Sequence, residues 1–223
     1  MTEFKTIICL TDSSKHSNHC IAGKEVFEDG IGGSIRPVSN LETGELTPRH
    51  FQLKDGNPLN LLDIVKVPIL KKDDRATMPY QTENFMIDEQ TRWEKTGHFP
   101  KADIQRLIDN VDSLWNNGDR PGMNDRMPVE LVMKKIKTSL ILIKPEKIEL
   151  KVSEEYKRIR VTAFFSFKGF DYQLRVTDLS VLREFSRKKL SDHQIQTGTL
   201  FCISLGEPFK GFCYKLVASV FYL

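Results

Sequence analysis

The feature that most constrains the fold is an alternation of apolar and polar residues on both sides of Lys168 and Gly169. If these two residues form a two-residue turn, residues 159–167 and 170–177 become antiparallel strands, with Phe167 opposite Phe170. One face of this hairpin is then wholly apolar: Val161, Ala163, Phe165, Tyr172, Leu174 and Val176. The other face carries Arg160, Thr162, Phe164, Gln173, Arg175 and Thr177. Because a slip of one residue would exchange the faces, the pattern predicts both the register and the buried side.

Short strands and one late helix surround this hairpin in the second half of the chain. The hydrophobic patterns predict strands at residues 139–143, 147–152, 200–205 and 212–221. Residues 179–190 have helical periodicity and follow Asp178, a residue type that is common at helix N-caps. About five strands with a single inserted helix are the inventory of a small closed barrel.

The first half is also β-rich, but it is more irregular. We predict strands at residues 4–10, 34–39, 61–70 and 80–87, a loop at residues 11–18 and a helix at residues 101–110. Residues 116–127 are the longest stretch rich in Gly, Pro, Asn and Asp, as linkers often are. The sequence therefore predicts a domain at residues 1–128 and another at residues 129–223.

Size and composition exclude several protein classes. The chain has 223 residues, 39% of them hydrophobic and 28% charged, which is ordinary for globular domains and unlike disordered or collagenous chains. It has neither the roughly 20 apolar residues of a membrane helix nor a signal peptide. Its 4 cysteines do not form the dense pattern of a disulfide scaffold. We expect a cytoplasmic protein with reduced thiols and no membrane partner.

Several segments along the chain together resemble one protein family. These segments are KTIICLTDSSKHSNHCIAGKE, GGSIRPVS, LLDIVKVPI, YQTENFMID, NDRMP, YQLRVTD and FCISLGEPFKGFCYKLVASV. They resemble the bacterial dual OB domain-containing proteins over nearly the whole chain. The resemblance implies a mainly β fold with a few helices, made of two tandem OB-like barrels that bind nucleic acid. It also implies a place among phage-defence genes with partner proteins from the same operon, and it passes on no catalytic residue.

The charge is distributed unevenly between the two halves. Residues 1–128 contain 16 Lys+Arg and 20 Asp+Glu, whereas residues 129–223 contain 17 and 10. A basic second half is compatible with a polyanionic partner, and equally with lysines that simply cover a solvated surface.

The polar face of the predicted hairpin is the first candidate binding surface. Phe164 is suited to stack on a base, and Arg160, Arg175 and Gln173 are suited to contact phosphates or bases. The middle strands of an OB barrel are also the usual oligonucleotide platform. The alternatives are an ordinary solvated sheet face or a face that the other domain covers.

Two further segments combine residue types that bind nucleic acids. Near the end of the chain, Lys210 lies among Phe209, Phe212 and Tyr214, although aromatic residues at strand spacing are also common in cores. In the loop before residue 128, Asn124 and Arg126 have side chains that read bases and phosphates. Asp125 could instead hold Arg126 in a purely structural ion pair.

No sequence motif predicts a reaction. The chain lacks a Walker A motif, GxGxxG, GxSxG and HExxH, so we expect no catalytic residue and no cofactor. Cys9, His16, His19 and Cys20 have no standard metal-ligand spacing, so we predict no metal site.

We therefore favour a non-catalytic module that binds single-stranded DNA or RNA. One alternative is a metal-dependent nuclease around Glu149 and Lys151, which form the short E-x-K pattern of such enzymes but fall on the solvent face of an alternating strand. Another alternative is a protein–protein adaptor.

Overall fold

The computed structural model describes residues 2–75, 78–115, 123–155, 158–185, 192–194 and 198–222. Their contacts group the chain into two compact units, Met1–Thr77 with Gln81–Leu107, and Met78–Tyr80 with Ile108–Leu223. The domain boundary after residue 128 stays a prediction, because contacts alone do not show where an independently folding domain begins. None of the helices in the described ranges is long and apolar enough to cross a membrane.

The first unit contains a closed barrel. Its strands are β1 (Glu3–Lys15), β2 (Asn18–Phe27), β3 (Gly30–Val38), β4 (Asp63–Lys72), β5 (Asn84–Ile87) and β6 (Glu94–His98). The sheet runs in the order β1-β2-β3-β5-β4, and β4 pairs with β1 again, which closes a ring of five strands. Strand β6 extends this sheet beside β4, and β3 and β5 are parallel to each other.

The interior of this barrel is apolar. The buried cluster contains the inward strand residues Ile7, Cys9, Ile21, Ile35, Val65 and Val67, together with Trp93 just before β6. Two short 3₁₀ segments, Pro48–Phe51 and Lys101–Leu107, lie outside the strands and contribute the buried side chains His50, Ile104 and Leu107.

The second unit repeats this strand order. Its elements are β7 (Arg126–Pro128), α1 (Val129–Lys135), β8 (Leu140–Ile143), β9 (Glu146–Glu155), β10 (Arg158–Phe167), β11 (Phe170–Val176), α2 (Leu179–Phe185), β12 (Asp192–Gln194), β13 (Leu200–Phe209) and β14 (Phe212–Phe221). The sheet runs β9-β10-β11-β14-β13-β8, with β11 parallel to β14, while β12 and β7 add to β9 and β14. β8 and β9 are the two ends of this strand order, and only Lys144 and Pro145 separate them in the chain. The sheet therefore curves round until its two ends meet, as in a barrel. The mainly β fold with two OB-like barrels is confirmed.

The predicted hairpin has the predicted register. Phe167 pairs with Phe170, Phe165 with Tyr172 and Ala163 with Leu174. Lys168 and Gly169 have φ angles of 51° and 78°, and two positive φ angles are what a type I′ hairpin turn requires. The apolar face lies in the core of the second barrel, as expected.

The loop predicted at residues 11–18 is wrong. Strand β1 continues to Lys15, and the turn consists of His16 and Ser17 alone. Thr11 and Ser13 are buried, and both hydroxyl groups donate to the backbone oxygen of Cys20 on the neighbouring strand. Cross-strand hydrogen bonds thus accommodate polar residues that resemble a loop when only the local sequence is considered.

The predicted helices have mixed outcomes. Residues 101–107 form a 3₁₀ segment rather than the α-helix predicted for residues 101–110. Helix α2 starts at Leu179 as predicted, and Asp178 accepts hydrogen bonds from the backbone nitrogens of Ser180 and Val181. The remainder of the helix predicted at residues 179–190 lies outside the described residues from residue 186 onwards. The sequence patterns did not predict β2, β6, β7, β12 or α1.

Candidate nucleic-acid interface

The hairpin of β13 and β14 presents three aromatic rings on the outer side of the second barrel. Phe209 pairs with Phe212 across a turn formed by Lys210 and Gly211, whose φ angles are 50° and 82°. Alternation along β14 puts Phe212 and Tyr214 outside, whereas Cys213 between them is buried in the core. Phe209 is 60% exposed, which is unusual for a large apolar side chain at the end of a strand.

Arg126 is held against two of these rings. Strand β7 pairs with β14 so that Arg126 lies beside Tyr214. Its guanidinium carbon is 4.4 Å from the centroid of the Phe212 ring and 5.9 Å from that of Tyr214, and its Nη1 donates to the Tyr214 hydroxyl at 3.3 Å. These contacts hold a permanently charged, planar group in place before any ligand arrives.

Lys210 adds a second cation to the same surface. Its Nζ lies 5.4 Å from the centroid of the Phe209 ring, and the rings of Phe209 and Tyr214 are 6.4 Å apart. We call this group the tip cluster: Arg126, Phe209, Lys210, Phe212 and Tyr214. Of the residues nominated from sequence, Arg126, Lys210, Phe212 and Tyr214 are thus brought together.

Asn124 is not at this surface. It is only 6% exposed, and its Nδ2 donates to the backbone oxygen of Asp171 at 2.9 Å. Its neighbours Met123 and Asp125 accept hydrogen bonds from the backbone nitrogens of Gln173 and Lys215. The segment therefore lies between β11 and β14, and the Asn124 amide helps to hold it there.

Asp125 lies beside the charged group of Arg126. The distance from Arg126 Nε to Asp125 Oδ1 is 3.9 Å. Burial raises the pKa of the Asp125 carboxyl group, and the positive charge of Arg126 partly opposes this effect. The ion pair that the sequence left open as a structural alternative therefore exists alongside the aromatic contacts.

The other nominated residues form a second group, the hairpin face: Arg160, Phe164, Gln173 and Arg175. Gln173 and Arg175 are exposed, and Arg160 and Phe164 are half-buried. Phe164 lies between Glu149 on β9 and Gln173 on β11. Arg160 Nε is 2.6 Å from Glu155 Oε2, so a carboxylate on the same surface already pairs with this charge.

The tip cluster and the hairpin face share one side of the second barrel. Arg175 pairs with Leu216, which lies two residues beyond Tyr214 on the same side of β14. At Gln173 and Lys215, nearer the start of both strands, the segment containing Asn124 lies between β11 and β14, so three strand spacings separate β10 from β14 there. At about 4.8 Å for each spacing, Phe164 and Tyr214 are roughly 14 Å apart across the sheet.

The corresponding face of the first barrel is partly buried. On β2 and β3, the outward side chains of Ala22, Lys24 and Arg36 are all less than 10% exposed. Arg36 Nη1 is 3.4 Å from Glu83 Oε1 and donates to Asn84 Oδ1. The part of the outer β2–β3 face that carries Ala22, Lys24 and Arg36 is therefore closed to a ligand, whereas Ser34 on the same face is half-buried.

The possible metal ligands do not cluster in the described part of the chain. Within those ranges, no three side chains among His, Cys, Asp and Glu come together to hold an ion. Glu149 lies opposite Phe164 on the outer side of the sheet, and Cys9 is buried in the first core. His19 instead pairs with Asp12, with Nδ1 and Oδ1 2.6 Å apart. The nuclease alternative gains no support from this geometry.

Comparison with protein families identifies the relatives of the chain. The model of the dual OB-containing domain matches residues 5–220. The chain belongs to this family. The two barrels described above are thus the two OB units of a dual OB chain, and the resemblance noted in the sequence is confirmed. The comparison with curated proteins found no match.

Solved structures with some similarity include DNA-bound proteins. One is described as a murine DNA-binding protein bound with double-stranded DNA; it is 11% identical, with a TM-score of 0.34, and the match covers 98% of this chain and 93% of that one. Another is the Ifi202 HINa domain in complex with a 20-bp double-stranded DNA, at 10% identity and a TM-score of 0.33, covering 98% and 94%. These scores are too low to bear on the fold or the ligand of this dual OB chain.

Sequence reasoning did not find the contact between Arg126 and β14. The two partners, Arg126 and Tyr214, are 88 positions apart in the chain. Each segment had the residue types of a binding site, but no local pattern links them. Their proximity results from the pairing of β7 with β14.

Proposed function

We propose that this chain is a non-catalytic nucleic-acid-binding module that holds a single strand of DNA or RNA on the outer side of its second barrel. The observation that carries the proposal is the tip cluster, in which the Arg126 guanidinium group lies against Phe212 and the exposed ring of Phe209 lies beside Tyr214. Proteins that bind single strands combine aromatic rings, on which bases stack, with cations that contact phosphates. The basic composition of residues 129–223 and membership of the dual OB family support the same proposal.

The exposure of Phe209 favours a single strand over a duplex. A ring at a hairpin tip needs access to the face of a base, and a duplex keeps its bases stacked on each other.

The cellular context is also a proposal. We infer that the module acts as one component of a bacterial multi-protein system, with phage defence as the suggested process, and the resemblance of its sequence segments supports this placement. Sequencing the nucleic acid and identifying the proteins that co-purify with the chain would test it. Purification with neither would contradict it.

Fluorescence anisotropy with a labelled oligothymidylate tests the binding site. Replacing Phe209 by Ala should weaken binding by roughly 1–3 kcal/mol, the value of one stacked base. Replacing Lys210 by Gln should reduce the slope of log K against log salt by about 0.7, the value of one phosphate contact on a single strand. A duplex of the same length should compete poorly with the labelled strand.

Phe27 provides a matched control. It is 53% exposed and lies beside the hairpin turn between β2 and β3, as Phe209 lies beside the turn between β13 and β14. Phe27→Ala should leave the affinity unchanged. If both alanine variants lose affinity equally, or if neither does, the tip cluster is not the binding site.

A further inference from the structure

We infer that helix α1 extends the interface, with Lys134 and Lys135 forming a second phosphate-binding point beyond the tip cluster. This inference rests on the proposed function and adds the path of the bound strand. The strand would run from the turn of the β13–β14 hairpin along α1. A longer oligonucleotide would then make contacts that a short one cannot reach.

The start of α1 is tied to the tip cluster. Helix α1 begins at Val129, directly after β7, the strand that carries Arg126. The backbone nitrogen of Val129 donates to the backbone oxygen of Gly211 at 3.0 Å. Since Gly211 forms the same turn as Lys210, this bond ties the first residue of the helix to the turn that carries the Lys210 cation.

Helix α1 packs on the second core through its buried residue. Val132 is fully buried in the core of the second barrel. At the other end, the backbone nitrogen of Ile136 donates to the oxygen of Val132, which completes the last turn. The helix is therefore anchored at its start and in its middle.

Lys134 and Lys135 are exposed at the far end of this anchored helix. At about 1.5 Å per residue, they lie roughly 8–9 Å along the axis from Val129. A stacked strand rises about 3.4 Å per nucleotide, so this distance corresponds to two or three phosphates beyond the tip. Glu130, the acidic residue of α1, lies in the first turn. The charged side chains of the last turn are therefore Lys134 and Lys135, and both are positive.

The test compares two oligothymidylates, one of roughly 4 and one of roughly 16 nucleotides, which span the site sizes of OB folds. The protein is the full chain carrying Lys134→Gln and Lys135→Gln together. With the long oligonucleotide, the slope of log K against log salt should fall by about 1.4, because two phosphate contacts are lost. With the short oligonucleotide, the affinity and the slope should match those of the unmodified chain.

A control variant carries Lys66→Gln and Lys72→Gln, which remove the same charge from exposed positions on β4. It should bind both oligonucleotides as the unmodified chain does. Equal loss on both oligonucleotides in the α1 variant would show that the lysines support the tip cluster instead, and no loss on either would also overturn the inference. If the unmodified chain binds neither oligonucleotide, the proposed function itself fails.

Discussion

Lys215 gives the stability of this protein a specific dependence on pH. It lies on β14 between the outward residues Tyr214 and Leu216, and its side chain faces inward and is only 2% exposed. Its Nζ is 5.6 Å from the centroid of the Tyr172 ring. Burial lowers the pKa of Lys215 from 10.5 to about 8, although the nearby Asp125 carboxylate partly opposes this effect.

The sign of the effect follows from proton binding. Below pH 8, Lys215 is protonated in both the folded and the unfolded states, and the folded state bears the cost of a buried charge. Between about pH 8 and 10.5, the folded protein releases this proton while the unfolded chain keeps it, so the free energy of unfolding rises with pH. Since one pKa unit is worth about 1.4 kcal/mol, the full effect is roughly 3 kcal/mol.

Replacing Lys215 by Met removes this titration and keeps most of the side-chain volume. Near neutral pH, the variant should be more stable than the unmodified chain, and the advantage should shrink by roughly 3 kcal/mol as the pH rises to 10.5. Urea unfolding at several pH values measures the difference. Lys210→Met, at an exposed position of the same hairpin, is the control and should show no such trend. A stability difference between Lys215→Met and the unmodified chain that stays constant with pH would refute the reasoning.

Three further predictions concern the hairpin face, the helix cap and the second unit. Phe164→Ala should weaken oligothymidylate binding by roughly 1–3 kcal/mol, and Phe4→Ala, at an exposed position of the first barrel, should not; equal affinities of these two variants would remove the hairpin face from the interface. Asp178→Ala should lower the free energy of unfolding by roughly 2–4 kcal/mol, because it removes the cap of α2 and leaves a buried backbone nitrogen of β14 without an acceptor. Asp178→Asn keeps one acceptor oxygen and should lose less in urea unfolding, so equal losses would contradict this account. The fragment 108–223 should melt at a higher temperature than 129–223, because the longer fragment retains apolar residues buried in the second core; the reverse order in a calorimetric comparison would favour a boundary after residue 128.

The hairpin of β10 and β11 was predictable because all the necessary information lies within one short segment. A two-residue turn limits the register, and alternation then distinguishes the two faces. The N-cap at Asp178 was predictable for the same reason, since a cap depends on residues within one helical turn.

The extent of β1 and the existence of β2 were not predictable from local patterns. Thr11 and Ser13 are polar, and only their hydrogen bonds to the adjacent strand make them suitable for a buried position. Helix α1 is only seven residues long, too short for a clear hydrophobic period, and its position depends on contacts with Gly211 and the second core.

In the tip cluster, too, local sequence predicted the residue types, and long-range contacts decided which residues lie together. The residue types of Arg126, Phe212 and Tyr214 were enough to nominate each of them as a binding residue, but that chemistry did not show which ones lie together. Asn124, two residues from Arg126, is instead buried and bonded to the backbone of Asp171. Strand pairing between distant segments decided both outcomes, because backbone hydrogen bonds between β7 and β14 place side chains that are far apart in sequence.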